Sequence, residues 1–539
     1  MYRRERSNLM SVYIKSKEFK LLLGLLVFFL SVVIIWGNNE SLCKENIFVY
    51  ARPVSKTIDP VAAAGDEEVQ NTYMAYDTLV TLDEELNVIP SLAVSWEISD
   101  DHKTFTFTLR KDVHFHDGTP FNAESVKFSF DRLLKSGMQG IGSYSDMANE
   151  NSVTIIDDYT VEITLDKPYP GFIIDELCNG VYSIVSPNYV KENATADDPL
   201  ALKWMTAHAC GTGPFILTEW IEGERMVFKK NENYWNKDRM PKVDKVIFRI
   251  YSLSSTARMW IERGEVHAVE KLAPEDFNAL AANGNVSIVE ISNYPIVIFL
   301  MMDVSKPPFD DVMVRKAIAY AINYEEIIQK IERSKVIRAH GLMPKGMMGY
   351  NEHPLPYRYE PELAKQLLAQ STHSNGFTTN LRFTSQRRGS FPEIAVYIQA
   401  YLKDIGINIK PWNQSLASLN EAHSQGNYGI TLKQWSAGLP SPDEMGGWLY
   451  DMERGDGCWG WVGTFWYNDW AMNNMRNARS MENNAEREEL YRITDALSNE
   501  MAIYIPLFES GKLVAVHKSV KNFVYTPYLF ARFYSAELK

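Results

Sequence analysis

The sequence predicts a mixed α/β protein whose front is rich in antiparallel strands and whose back alternates strand and helix. Three observations carry this. Phe105, Phe107 and Leu109 alternate with Thr106, Thr108 and Arg110, the period-two pattern of a half-buried strand. Residues 153–165 read as two strands joined at Asp157-Asp158, a hairpin. Residues 407–411, 416–423 and 430–435 read as strand, helix, strand, a βαβ unit that implies a parallel sheet.

The other elements follow in order. Residues 47–53 form a first strand, and a loop over Thr57-Ile58-Asp59-Pro60 leads to a helix from Asp66 to about Tyr76. Asp117-Gly118 with Pro120 marks a turn, after which Asn122 caps a helix carrying Val126, Phe130, Leu133 and Leu134. Asp310-Asp311 opens a helix that buries Ile318, Ala321 and Ile322. Asn323 with Glu326 resembles a capping box and restarts the helical pattern. Pro361 stands at the first position of another helix, and residues 392–405 form one more that ends at Gly406 in a left-handed cap.

Composition narrows the function. The 539 residues are 45% hydrophobic and 23% charged, which excludes disordered, collagenous and low-complexity classes. The formal net charge of −13 supplies no positive field for phosphates, so a nucleic-acid partner is not expected. That charge is an average over two segments. Residues 1–36 carry six basic and two acidic side chains, a net of +4, which leaves −17 for the rest. The basic stretch runs into residues 21–36, sixteen in a row without a charge, and then into polar Gly37-Asn38-Asn39. This is the layout of a secretory signal, with an uncleaved N-terminal membrane anchor over residues 21–36 as the alternative. A periplasmic or extracellular location is expected.

Four cysteines, Cys43, Cys178, Cys210 and Cys458, form no C-x-x-C pair, so zinc-ribbon and thioredoxin chemistry lack a motif. An exported chain permits disulfides. Cys178–Cys210 is the favoured pairing because its shorter loop is easier to close, and four buried thiols are the alternative. Catalytic motifs are missing too: there is no nucleophile elbow, no H-E-x-x-H and no phosphate-binding loop with its lysine. His114 and His116 share a strand face, but only Asp117 stands near as a third metal ligand, so a structural turn is the reading. No metal, no cofactor and no enzymatic activity are expected.

One stretch stands out. Residues 435–470 hold six of the 13 tryptophans, interleaved with glycines. Rings beside glycine-rich backbone suit a pocket wall, and they equally suit a core assembled from loops. Trp435 is the more pocket-like, because it ends a βαβ strand, where α/β sheets bind ligands.

Longer motifs then point to a family. Residues 115–132, Phe-His-Asp-Gly-Thr-Pro-Phe-Asn-Ala-Glu-Ser-Val-Lys-Phe-Ser-Phe-Asp-Arg, closely resemble a signature of the peptide/nickel class of solute-binding proteins of ABC importers. Residues 79–83 with 90–96, 211–215 through 231–235, 308–323, 485–491 and 505–507 resemble further family segments, in the same order. The resemblance implies a two-lobed, three-domain periplasmic-binding-protein-like fold with a β-rich insertion. Domain I would comprise residues 46–78, 208–290 and 506–539, domain II 79–207 and domain III 291–505. The implied function is capture of a small peptide or peptide-like ligand between two lobes that close by hinge motion, followed by delivery to a membrane permease. A monomer is expected. A sugar, an opine-like conjugate or a nickel chelate is the alternative ligand, and a secreted hydrolase is disfavoured.

Residue by residue, the resemblance points to Trp435, Ser436, Ala437 and Gly438 as ligand-binding. In dipeptide- and oligopeptide-binding relatives, an Asp three residues after the Trp pairs with the peptide's amino terminus, and here Gly438 stands in its place. Either Asp443 or Glu444 compensates, or the ligand lacks an α-amine there. Arg387 and Arg388 lie near the place of a carboxylate-binding Arg, with a solvated basic loop as the alternative reading. The loop from Thr57 past Asp59 to Gly65 would line the other wall.

Overall fold

The computed structural model describes residues 45–539 apart from 64, 139–143, 333–335, 354–356, 427, 454–463, 527 and 529. The expectations on residues 1–36, Cys43, Cys458, Trp459 and Trp461 lie outside the described residues. Among the described residues, no helix is long and apolar enough to cross a membrane.

The front elements form as their patterns dictate. Ala93–Ile98, Thr104–Leu109, Thr160–Thr164 and Val153–Asp157 make a four-stranded antiparallel sheet in that spatial order. The alternation of Phe105, Phe107 and Leu109 puts all three in the core. The helix Ala123–Ser136 packs beside this sheet. Its N-cap Asn122 accepts from the Ser125 amide, and Gly137 ends it in the left-handed conformation.

From Ile47 on, the chain forms one compact unit built on an eleven-stranded mixed sheet. Its spatial order runs Ile407–Asn413, Phe377–Phe383, Ile430–Ser436, Val286–Met302, Tyr504–His517, Ala268–Glu270, Ile47–Arg52, Lys245–Ile250, Arg225–Lys230, Phe215–Ile221, with Val336–Arg338 pairing off this path to Tyr504–His517. Two long antiparallel strands, Val286–Met302 and Tyr504–His517, join the halves of this sheet. Their register is interrupted midway: Ile291 pairs with Lys512, but Ile296 pairs with Ser510. Four residues on one strand thus face a single residue on the other, a bulge that bends the ribbon.

The expected βαβ unit is present with one difference. Ile407–Asn413 and Ile430–Ser436 flank the helix Leu416–Ser424, but they are not neighbours. Phe377–Phe383 lies between them and pairs parallel with both. The strand pattern is local, whereas strand order is set by tertiary packing. The helix caps follow the sequence: Asn323 accepts from the Glu326 amide at 3.1 Å, Pro361 and Pro392 stand in first turns, and Gly406 has φ +96°.

Cys178 and Cys210 are both buried free thiols, so the expected pairing between them is not made. His116 is consumed by packing. Its Nε2 lies 3.0 Å from the Gly213 carbonyl, and its amide donates to the Gly211 carbonyl at 2.8 Å. The turn it braces needs its glycines: a Cβ at Gly211 would stand 2.2 Å from the Ala75 carbonyl oxygen, and one at Gly213 would stand 2.5 Å from the Tyr76 amide nitrogen.

Candidate functional site

The carboxyl ends of the parallel strands Phe377–Phe383 and Ile430–Ser436 open into a cavity, the place where open α/β sheets form crevices. It encloses ≈ 1280 Å³, solvent at its mouth included. One wall is the strand end Leu432 to Ser436 with Gly438. Thr384, Arg387 and Phe391 come from the segment after the neighbouring strand. Ala63, Gly65 and Asp66 lead into the helix Asp66–Ala75, and Asn179 with Val181 come from the front of the chain. A second chamber of ≈ 890 Å³ shares Asp66, Arg387 and Gln434 with the first. It continues toward Phe277, Ile296 and Ser510, beside the bulge in the long strands.

The expected site residues divide into those the cavity uses and those the fold uses. Trp435, Ser436, Gly438 and Arg387 line the first chamber. The Trp435 indole nitrogen is buried and makes no hydrogen bond among the described residues. Trp448, from the same tryptophan-rich stretch, joins the wall, whereas Trp466 packs edge-on against Tyr450 in the core and Trp470 is exposed.

Arg388 borders the second chamber, but its guanidinium is held by Glu332 at 2.5 and 3.2 Å and by the Ser510 hydroxyl at 3.0 Å. Ala437 is fully buried in a hydrophobic cluster. Asp59 gives both carboxylate oxygens to Arg132 at 2.6 and 2.7 Å, and each side chain is only 1% exposed. Thr57 is buried beside it, and its hydroxyl accepts from the Asp59 amide. The loop 57–65 therefore reaches the cavity through Ala63 and Gly65, and neither Thr57 nor Asp59 lines it.

The neighbours Asp443 and Glu444 separate in the same way. Asp443 is fully buried against Arg479 at 3.0 Å. Glu444 lines the cavity, and its Oε2 accepts from the Gly438 amide at 3.4 Å. Both sit in the first turn of the helix Pro442–Tyr450, where Ser441 caps their amides. A Cβ at Gly438 would stand 3.3 Å from Asn179 Nδ2 and 3.7 Å from Glu444 Oε2. A side chain at 438 would thus press on the Asn179 amide and stand in ordinary contact with the Glu444 carboxylate.

Two further charged groups shape the site. At the helix N-terminus, Lys271 lies 2.6 Å from Glu67 and 3.4 Å from Asp66. Burial is the largest single influence and would raise both carboxyls, but the Lys271 ammonium together with neighbouring cations such as Arg387 holds them below the ordinary carboxylate range. Lys433 is the contrasting case. Its ammonium is shielded from solvent and finds no hydrogen-bond acceptor among the described residues. Burial, with the positive Arg387 nearby, pushes its pKa down to about 7. Sequence reasoning missed Lys433, Asp66 and Asn179. No local signal marks Lys433, because Thr431, Gln434 and Ser436 make its strand as polar as it is apolar.

Comparisons with known proteins place the chain in a family. The family model for bacterial extracellular solute-binding proteins, family 5 (middle), matches residues 87–456. The probable D,D-dipeptide-binding periplasmic protein of Escherichia coli K12 is 29% identical over 482 residues, covering 88% of this chain and 90% of that one. The structure of an ABC transporter-associated periplasmic binding protein from Helicobacter pylori with the peptide STSA superposes with TM-score 0.83 and 28% identity, over 91% of this chain and 98% of that one. A binding protein from A. tumefaciens R10 in complex with agropinic acid gives TM-score 0.80 and 26% identity, over 92% and 99%. The fold is the two-lobed one expected from the sequence, and the chain belongs to the family 5 bacterial extracellular solute-binding proteins, the binding components of ABC importers.

Proposed function

We propose that this protein captures a short peptide in the cavity at Trp435 and delivers it, lobes closed, to an ABC permease. The observation that carries the reading is the presence of both charge signs on one cavity. The Glu444 carboxylate stands against Gly438 just after Trp435. The Arg387 guanidinium lines the same chamber with no ion pair among the described residues. A zwitterion fits that arrangement: its ammonium would meet Glu444, and its carboxylate would meet Arg387 in a charge-assisted pair. The Trp435 and Trp448 rings supply apolar area for side chains.

The three domains, at the boundaries expected from the sequence, belong to this proposal. So do the monomeric state, an exported location and the absence of bond chemistry. The strands Val286–Met302 and Tyr504–His517 are the hinge, with their bulge as the bending point beside the second chamber. Ligand contacts from both sides of that point make the closed form the tighter binder, which is what a permease needs to distinguish loaded from empty protein. Calorimetric titration tests the reading. Ala-Ala should bind, and N-acetyl-Ala-Ala should bind at least about 10-fold weaker, because the acetyl group removes the charge that Glu444 meets. Equal affinity for the two would overturn it.

A further inference from the structure

The peptide reading accounts for one acid and one base in the cavity, and Lys433 is left over. The other buried lysines near the cleft have carboxylates: Lys271 has Glu67 and Asp66, and Lys512 lies 2.9 Å from Glu270. Lys433 has none, although it is just as shielded. The charged groups that face the same chamber are already engaged. Asp66 is held by Lys271, Glu444 accepts from the Gly438 amide, and His423 Nε2 lies 2.9 Å from the Thr431 hydroxyl. Arg387 is a second cation and repels Lys433.

The fold does not need this ammonium. Lys433 sits opposite Phe299 in a register where Leu432 and Ile430 supply the core contacts, and an apolar side chain would satisfy the strand. A buried cation without a partner is unfavourable in the empty protein, which relieves it either by shedding the proton or by taking an anion from outside. Arg387 already feels the carboxylates of Asp66, Glu67 and Glu68, whereas the one charged neighbour that acts on Lys433 is the like-charged Arg387.

We infer that the ligand of this cleft carries a second carboxylate, and that Lys433 Nζ receives it while Arg387 receives the first. The inference rests on the peptide reading and narrows it to acidic peptides or peptide-like dicarboxylates. The depressed pKa of Lys433 fits this role, since a ligand anion draws a proton onto an amine that is only partly charged at neutral pH in the empty cleft.

Calorimetry with four probes tests it: Ala-Ala, Ala-Glu, Glu-Ala and N-succinyl-alanine, each against the unmodified protein and Lys433→Met. At least one acidic dipeptide should bind about 10- to 100-fold tighter than Ala-Ala, the range of one buried charge-assisted hydrogen bond. Lys433→Met should erase that preference while leaving Ala-Ala affinity and the melting temperature of the empty protein no lower. Equal binding of neutral and acidic dipeptides, or a preference that survives in Lys433→Met, overturns the inference and leaves the peptide reading standing. Lys433-dependent binding of N-succinyl-alanine with no dipeptide binding upholds the anionic subsite and overturns the peptide reading. Failure of all four probes overturns both.

Discussion

Two kinds of charged group sit within a few residues of each other in this chain, and the fold treats them oppositely. In the body, Asp59 with Arg132 and Asp443 with Arg479 are buried and paired, and the buried Glu332 pairs with the half-buried Arg388. In the cleft, Arg387 and Lys433 face a cavity without an ion pair among the described residues. Arg387 and Arg388 are adjacent in sequence, as are Asp443 and Glu444, yet one of each couple holds the structure and the other faces the cavity. The paired groups form the scaffold, and Arg387 and Lys433 stand where a ligand can reach them.

The sharpest way to break this contrast is to remove one partner from a scaffold pair. Asp59→Ala leaves Arg132 buried and unneutralised, and should cost about 3–5 kcal/mol of stability in denaturant unfolding. If Asp59 instead acted on ligand, affinity would fall and stability would not. The adjacent arginines give the next test. Arg388→Ala should lower the melting temperature of the empty protein. Arg387→Ala should leave it nearly unchanged and weaken peptide binding by about 10- to 100-fold in calorimetry. Equal effects of the two would erase the distinction.

A smaller effect is expected at Trp435. Trp435→Ala should reduce the ligand-induced rise in melting temperature, with affinity down about 10-fold, while the empty protein melts much as before. An equal fall in both would make Trp435 a core residue. The last test concerns pH. The Lys433 amine has a pKa of about 7 in the folded protein and an ordinary lysine value when unfolded. Between these values the unfolded state binds the extra proton, so stability of the empty protein rises with pH above about 7, by at most about 1.4 kcal/mol per unit. Lys433→Met should lack that component in paired unfolding curves between pH 7 and 9. Affinity for an acidic dipeptide should fall over the same interval as the Lys433 ammonium is lost, in a chamber that Arg387, Asp66, Glu444 and His423 also line.

Much of the fold was legible because its signals are local. The alternation at 104–109, the hairpin at Asp157-Asp158 and the caps at Asn122, Asn323 and Gly406 need only neighbouring residues, and each forms as expected. Strand order was not legible, since the insertion of Phe377–Phe383 between two strands that are close in sequence is decided by tertiary packing. The site was half legible for the same reason. Trp435 and Gly438 were found through their motif. No local feature says that Asp59 is neutralised by Arg132, 73 residues away, or that Arg388 meets Glu332, 56 residues before it. Whether a charge is spent on the fold or left for a ligand depends on those distant partners, which is also why Lys433 went unnoticed.

The central claim is that the cleft selects a short, acidic, zwitterionic ligand. The most direct measurement is mass spectrometry of the small molecule released when the purified protein is denatured. A short peptide, or a peptide-like compound, with a free amine and two carboxylates is the expected result. A neutral sugar, a metal chelate or a peptide without any acidic side chain would contradict it.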